Sequence, residues 1–441
     1  MVDRLMSQVR DIFFEEFYRE LERVVAGLRG EELRMEMPLQ LVEALRRRWH
    51  EYEPSEGLSP LTLIGVDGGI QQSRFSHGWT VSVGRACALI RSPGEEALRV
   101  RKRVKIHIGR IFDDRDRAYI PSYVRLIAEY GVASEAAEEV VEAGGRPLVL
   151  MDGSLYLSRF PYAEREYLSH PRLLAELFEA MASLHILARD HGFPVVALAK
   201  DSTVFYLYMA LLREILALSG IDGNLASIVA ESPSPLSLRG KMGRLEEGER
   251  EVLEGLLGGV KPLCDQELVE TSVDGPGFTH PLLLAPSIYY RRGDAVPSLY
   301  RRVRELLPGE EAERVVSALE AFFSRPPVAV TYWRPHRGAR PFRLDISASS
   351  LGYGFPMKEI RRNAFVAEGR GLDAVREVLD HLGFWFCNPL EYNLPLRQAD
   401  RLARFDRQLY ASRYEPFIIK RMEERGVTLL SRVRDLREVV A

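Results

Sequence analysis

LTLIGVDGG, residues 61–69, is a short apolar run that ends in one acid and two glycines. Such a run reads as a buried strand, with Asp-Gly-Gly as the tight turn that closes it. The same grammar returns at PLVLMDGSL, residues 147–155, where Asp152 follows a second buried run. Between them, WTVSVGRACALI (79–90) and ALRVRKRVKIHIG (97–109) read as strands. Their link RSPGEE is a turn, so the first three strands form an antiparallel meander. ASEAAEEVVEAGG (133–145) has helical spacing. Beyond the second acid come a long helix over 171–191, the buried strand PVVALAKDS (194–202) and a helix from about 204 to 219.

Three strands, helix, strand, helix, strand is the order of the ribonuclease H-like fold, with right-handed crossovers joining the later, parallel strands. The expected class is therefore α/β: a ribonuclease H-like mixed sheet flanked by helices, with an N-terminal helical arm and a helical C-terminal region. Outward from this core (59–220), residues 1–58 read as the arm. Leu5, Val9, Ile12, Phe13 and Phe17 recur at helical spacing, as do Leu39, Leu41, Val42 and Leu45. Residues 221–280 are rich in Gly, Ser, Pro and charge and read as an insertion with a short helix near 245–257. Residues 281–346 return to strands (PLLLAPSIYY, PVAVTYW, PFRLDIS), with a helix near 309–323. Residues 355–441 are mostly helical, so 281–441 forms the remainder of the domain.

The chain has 441 residues, 46% hydrophobic and 28% charged, as a folded soluble protein has and a disordered one does not. No run of about 18 apolar residues calls for a membrane. Acids within MVDRLMSQVRDIFFEEFYRE argue against a signal peptide. Three scattered cysteines, Cys87, Cys264 and Cys387, form neither a disulfide framework nor a cysteine zinc site, which fits a cytoplasmic location. The net charge is -3, so nucleic-acid binding needs a local patch. Seven Lys against 53 Arg, with 4 Asn and 7 Gln, fit a thermophile or a GC-rich genome.

Asp67 and Asp152 end strands that neighbour each other in a ribonuclease H-like sheet, so both carboxylates meet at one sheet edge. Two close carboxylates repel unless a cation lies between them. All-oxygen ligands suit Mg²⁺ or Mn²⁺. Two such ions about 4 Å apart cleave phosphodiesters. A further ligand from the helix could be Glu135, Glu138, Glu139 or Glu142; Glu138 borders the packed stripe of Ala133, Ala136, Ala137, Val140 and Val141 most closely, and Glu139 next. Lys200, after the last core strand, reads either as a contact for a phosphate or as an ordinary surface lysine at a strand end.

Arg99, Arg101, Arg103, Lys105 and His107 alternate with Leu98, Val100, Lys102, Val104 and Ile106, so the five basic groups share one strand face. That row either tracks a phosphate backbone or protects an edge strand. TYWRPHRGARPFR (331–343) interleaves Tyr332, Trp333 and Phe342 with Arg334, His336, Arg337, Arg340 and Arg343, a composition suited to single-stranded bases, although aromatics in a strand are more often core. EYNLPLRQADRLARFDRQLY (391–410) reads as a basic helix opening near Pro395.

Together GVDGG, LMDGSL and YNLPLRQAD resemble the NurA family of nucleases, across roughly 60–410. The resemblance implies a ribonuclease H-like core with Asp67 and Asp152 as metal ligands and Glu138 or Glu139 between them. At the C-terminal motif it implies roles for Tyr392 and, eight residues on, Asp400, where family members usually carry His. It further implies a Mn²⁺- or Mg²⁺-dependent DNA nuclease, with single-stranded endonuclease and 5′–3′ exonuclease activity. Such a nuclease acts in DNA end resection and repair as a homodimer docked on a hexameric HerA ATPase. Two alternatives remain open at this level: a non-catalytic DNA-end clamp of the same fold, and an actin-like ATPase or kinase. The latter needs a duplicated core and a second Gly-rich phosphate loop, of which the sequence gives no clear sign.

Overall fold

The computed structural model describes residues 13–27, 38–55, 61–95, 98–111, 113–161, 164–257, 262–290, 294–386 and 393–427. Its centre is five strands: β2 (Thr62–Arg74), β3 (Trp79–Arg91), β4 (Arg99–Arg110), β5 (Pro147–Asp152) and β6 (Val195–Ala199). They lie in the order β4-β3-β2-β5-β6. The β2–β3 and β3–β4 pairs are antiparallel, whereas β2–β5 and β5–β6 are parallel. This is the ribonuclease H-like arrangement expected from the order of elements.

The sheet does not stop at β6. Antiparallel β10 (Phe342–Ser347) pairs with β6, and β9 (Val328–Arg334), β7 (Gly277–Thr279) and β1 (Trp49–Glu51) continue outward from it. Short β8 (Leu282–Leu284) joins β9 to β11 (Ala364–Phe365). The residues around 281–346 that read as strands thus extend the same sheet.

Helices α1 (Phe14–Gly27) and α2 (Leu39–Arg47) open the described chain. Leu41 and Leu45 are buried in the core, whereas Phe17, Leu21, Val24 and Val25 of α1 are exposed. α3 (Asp114–Glu142) leads into β5; α4 (Glu164–Ser169) and α5 (Pro171–His191) lead into β6; α6 (Tyr206–Leu218) follows it. Four shorter helices, α7 (Asn224–Ala230), α8 (Pro235–Arg239), α9 (Glu247–Leu257) and α10 (Asp265–Ser272), occupy most of the charged stretch. Then come α11 (Ala295–Leu306), α12 (Gly309–Ser324), α13 (Leu372–Phe384), α14 (Leu394–Ala403), α15 (Arg407–Leu409) and α16 (Glu415–Glu423).

One face of the sheet packs on α3, which in turn packs on α5, and α5 on α12. α14 lies on the other face, across β2 and β3. Each face closes its own apolar core, the larger one on the α3 side.

Two local expectations change. α3 begins near Asp113, not near residue 133: Asp113 caps it by accepting from the Arg115 N–H at 2.7 Å. Pro121 lies inside the helix and costs one backbone hydrogen bond. Gly131 also lies inside it, where a Cβ would meet Arg103 Nε at 2.6 Å. Nor is Asp-Gly-Gly a turn. β2 runs straight through it, pairing Asp67 with Cys87, Gly68 with Ala86 and Gly69 with Arg85. These glycines answer close approach from both faces. A Cβ on Gly68 would lie 2.5 Å from Glu129 Oε1, and one on Gly69 2.3 Å from the Ala403 carbonyl.

Candidate active site

Parallel pairing of β2 with β5 ends at Val66–Met151, yet β2 continues to Arg74. A notch opens where β5 stops and β2 runs on. Asp67 stands at its wall and Asp152 at its floor, on the last residue of β5. Here Gly153 does turn the chain, with φ +102°, a backbone conformation that suits glycine.

The carboxylates reach this notch from both sides of the sheet. Gly65 and Gly69 face α14, near Pro395 and Ala403, so Asp67, two residues from each, shares that face. Its cross-strand neighbour Cys87 donates to the Ala399 carbonyl of α14 at 3.2 Å. Gly68 faces the opposite way, onto the Glu129 side chain of α3. Asp67 and Glu129 are almost fully buried, whereas Asp152 is part exposed.

Electrostatics ties them together. Burial, and then the charge of Asp152, push Asp67 up to about 6; Asp400 adds to the rise, and the Gly68 N–H, donating to Oδ1 at 2.7 Å, opposes it. Burial raises Glu129 to about 7. Arg125, donating from Nη1 at 2.8 Å, opposes that rise, while Asp67 and Asp152 add to it. Asp152 is thus the common neighbour of both raised acids. Lys200 Nζ lies 4.0 Å from Asp152 Oδ2, and Arg404 lies 3.6 Å from Asp400.

The glutamate brought to the aspartates is therefore Glu129, which the sequence reading did not single out. Glu138 is exposed further along α3. Glu139 accepts from Arg99 at 2.5 Å and Arg101 at 2.6 Å. Glu139 is ten residues, about 15 Å of helix, from Glu129. A helix starting at 114 would have made Glu129 a candidate, but Pro121 and Gly131 masked that start.

The basic row is also placed differently from a free phosphate track. Arg103 pairs with Glu135 of α3 and Lys105 with Glu176 of α5, so the row turns toward the helices. Val104 and Ile106, on the alternate face, are 60% and 48% exposed, so both faces of β4 reach solvent. Arg334 is buried and donates to the carbonyls of Val273 and Glu270. Tyr332, Trp333 and Phe342 are core residues. Arg337, in the β9–β10 turn, is exposed. Tyr392 lies outside the described residues.

A hard divalent cation suits this donor set, which is all oxygen and whose two buried members have their proton affinity raised by burial first and by the neighbouring carboxylates next, a repulsion that a bound cation would relieve. Among the described residues, no three His, Cys, Asp or Glu side chains already surround a common centre. None of the described helices is long and apolar enough to cross a membrane.

Comparison with known proteins adds the family. No curated protein and no solved structure matches the chain. The NurA domain model matches residues 61–405, a span that holds the strands of the notch, α3 and α14. The chain belongs to the NurA family, a family of nucleases.

Proposed function

We propose that the chain is a metal-dependent deoxyribonuclease, cutting single-stranded DNA internally and from 5′ ends. The observation that carries this reading is the convergence of Asp67 and Asp152 on one notch of the sheet, with Glu129 of α3 packed against Gly68 beside them. Mn²⁺ or Mg²⁺, when bound, would supply Lewis-acid stabilisation to phosphodiester hydrolysis. Asp67, Asp152 and Glu129 would hold it. Asp400, whose charge already acts on Asp67, would border it in place of the family's usual His. Tyr392 takes its role from the same C-terminal motif.

The remaining residues act on the strand. Lys200 is part exposed beside Asp152, where its ammonium can meet a phosphate oxygen. Arg125 offsets the charge of Glu129. Arg343 of β10 pairs with Ala199 at the end of β6, which places the β9–β10 turn and Arg337 on the same sheet edge as the notch. Four strand spacings separate β9 from β2, about 19 Å. In this reading Arg337 would hold the strand a few nucleotides from the cut. The ion pairs of Arg99, Arg101, Arg103 and Lys105 favour a structural role for that row.

Family membership also supports action in DNA end resection, in the cytoplasm, as a homodimer with a HerA-type hexameric ATPase. The exposed apolar stripe of α1 offers material for such a contact. The test is cleavage of end-labelled single-stranded and duplex DNA with Mn²⁺, Mg²⁺ or EDTA, with and without the ATPase. Cutting with either cation, none in EDTA and none by Asp67→Asn is expected. DNA binding without cutting under every condition would overturn the reading in favour of a clamp.

A further inference from the structure

Both loops that carry polar groups of the notch are tied to one buried ion pair on β10. Asp345 is 0% exposed and Arg343 5%. Arg343 grips Asp345 twice, Nε to Oδ1 at 2.9 Å and Nη2 to Oδ2 at 3.1 Å. Neither partner is then spent. Asp345 Oδ2 accepts from Ser154 Oγ at 2.6 Å and from the Leu155 N–H at 3.1 Å, so it holds the loop that follows Asp152. Arg343 Nη1 donates to Ser202 Oγ at 2.8 Å, in the loop that follows Lys200.

Other buried groups fix the same loops. The Gly153 N–H donates to the Leu198 carbonyl at 3.0 Å. Arg325 Nη2 reaches the Leu155 carbonyl at 3.5 Å. Gln266 of α10 accepts from the Ser202 N–H at 2.5 Å and donates to the Lys200 carbonyl at 2.8 Å.

A buried ion pair is seldom the most stable filling for its volume; apolar side chains of similar size often do as well. What such a pair adds is direction. Here its fixed fork spends three hydrogen bonds on two loops from different strands. We infer that Arg343 and Asp345 are positioning residues, which through Ser154 and Ser202 set the relative placement of Asp152 and Lys200. This rests on the nuclease reading above. It also assigns a task to the serines of LMDGSL and LAKDS, which that reading leaves without one.

The test uses the full-length protein and the variants Ser154→Ala, Ser154→Thr and Asp345→Asn. Mn²⁺ affinity is measured by titration calorimetry without DNA. DNA affinity is measured by anisotropy in EDTA, and cleavage by single turnover. Ser154→Ala is expected to weaken Mn²⁺ binding about tenfold and slow cleavage about 10–100-fold, the usual range for a partner that orients a ligand. DNA affinity should be unchanged, and Ser154→Thr, which keeps the hydroxyl, should recover both losses. Asp345→Asn should match or exceed Ser154→Ala.

If Ser154→Ala binds Mn²⁺ and cuts as the wild type does, the inference is overturned, even where its melting point falls. If Asp345→Asn does not fold, Ser154→Ala alone decides. Failure of the wild type itself to bind Mn²⁺ or cut would instead overturn the nuclease reading.

Discussion

Gly68→Ala separates chemistry from folding. A Cβ at this position would sit 2.5 Å from Glu129 Oε1, 2.7 Å from its Cγ and 3.0 Å from its Cδ. Ordinary carbon contacts begin near 3.5 Å, so the side chain must retreat by about 1 Å. Only a side chain stands in the way, and it can turn. The backbone of β2 is extended here, so alanine adds no strain, and its lower unfolded-state entropy offsets part of the cost. Stability should therefore fall by no more than about 1–2 kcal/mol. Activity should fall much further, because a misplacement of about 1 Å at a reacting centre can cost about 100-fold. Gly69→Ala is the contrast. There the obstacle is the Ala403 backbone carbonyl at 2.3 Å, the same carbonyl that Arg85 Nε engages at 2.7 Å, so α14 itself must move. The assay pairs thermal unfolding with single-turnover cleavage of end-labelled single-stranded DNA in Mn²⁺. Gly68→Ala retaining activity within about threefold of wild type would refute the reasoning.

Other outcomes follow from the same geometry. Glu129→Gln should abolish metal-dependent cleavage, whereas Glu138→Gln should leave it intact; Glu139→Gln should cost at most about 1 kcal/mol of stability, since its arginine pairs are part exposed. Glu129 and Asp67 are raised to about 7 and about 6, so the folded, metal-free protein binds more protons than the unfolded chain between about pH 4 and 7. Their contribution is then fully present below about pH 4 and is lost as pH rises through 6–7. In denaturant titrations, Asp67→Asn should flatten that slope. Arg337→Ala should weaken DNA binding and lower its salt dependence by about one charge, read by anisotropy. Arg334→Ala should lower the melting temperature instead, since its guanidinium is buried against two carbonyls.

The five-strand core was legible because apolar runs and their punctuation follow local rules: Leu61–Val66, Leu148–Met151 and Val195–Leu198 are buried where expected. Asp67 and Asp152 stood out because acids at strand positions break an apolar run. Glu129 did not, since only α3 folding past Pro121 brings it beside Gly68. The glycines of GVDGG misled locally, because close approach by Glu129 and Ala403 is a tertiary fact that composition cannot distinguish from a turn. Alternation on β4 was correctly periodic, but its basic face is not a free one: Glu139, Glu135 and Glu176, about 30 to 70 positions away in the chain, pair with Arg99, Arg103 and Lys105.

Where a manganese ion sits decides the matter. In crystals grown with Mn²⁺, anomalous scattering should place the ion against carboxylate oxygens of Asp67 and Asp152, with Glu129 drawn toward it. An ion bound elsewhere, or none at this notch at millimolar Mn²⁺ and pH 8, would contradict a catalytic role for these acids.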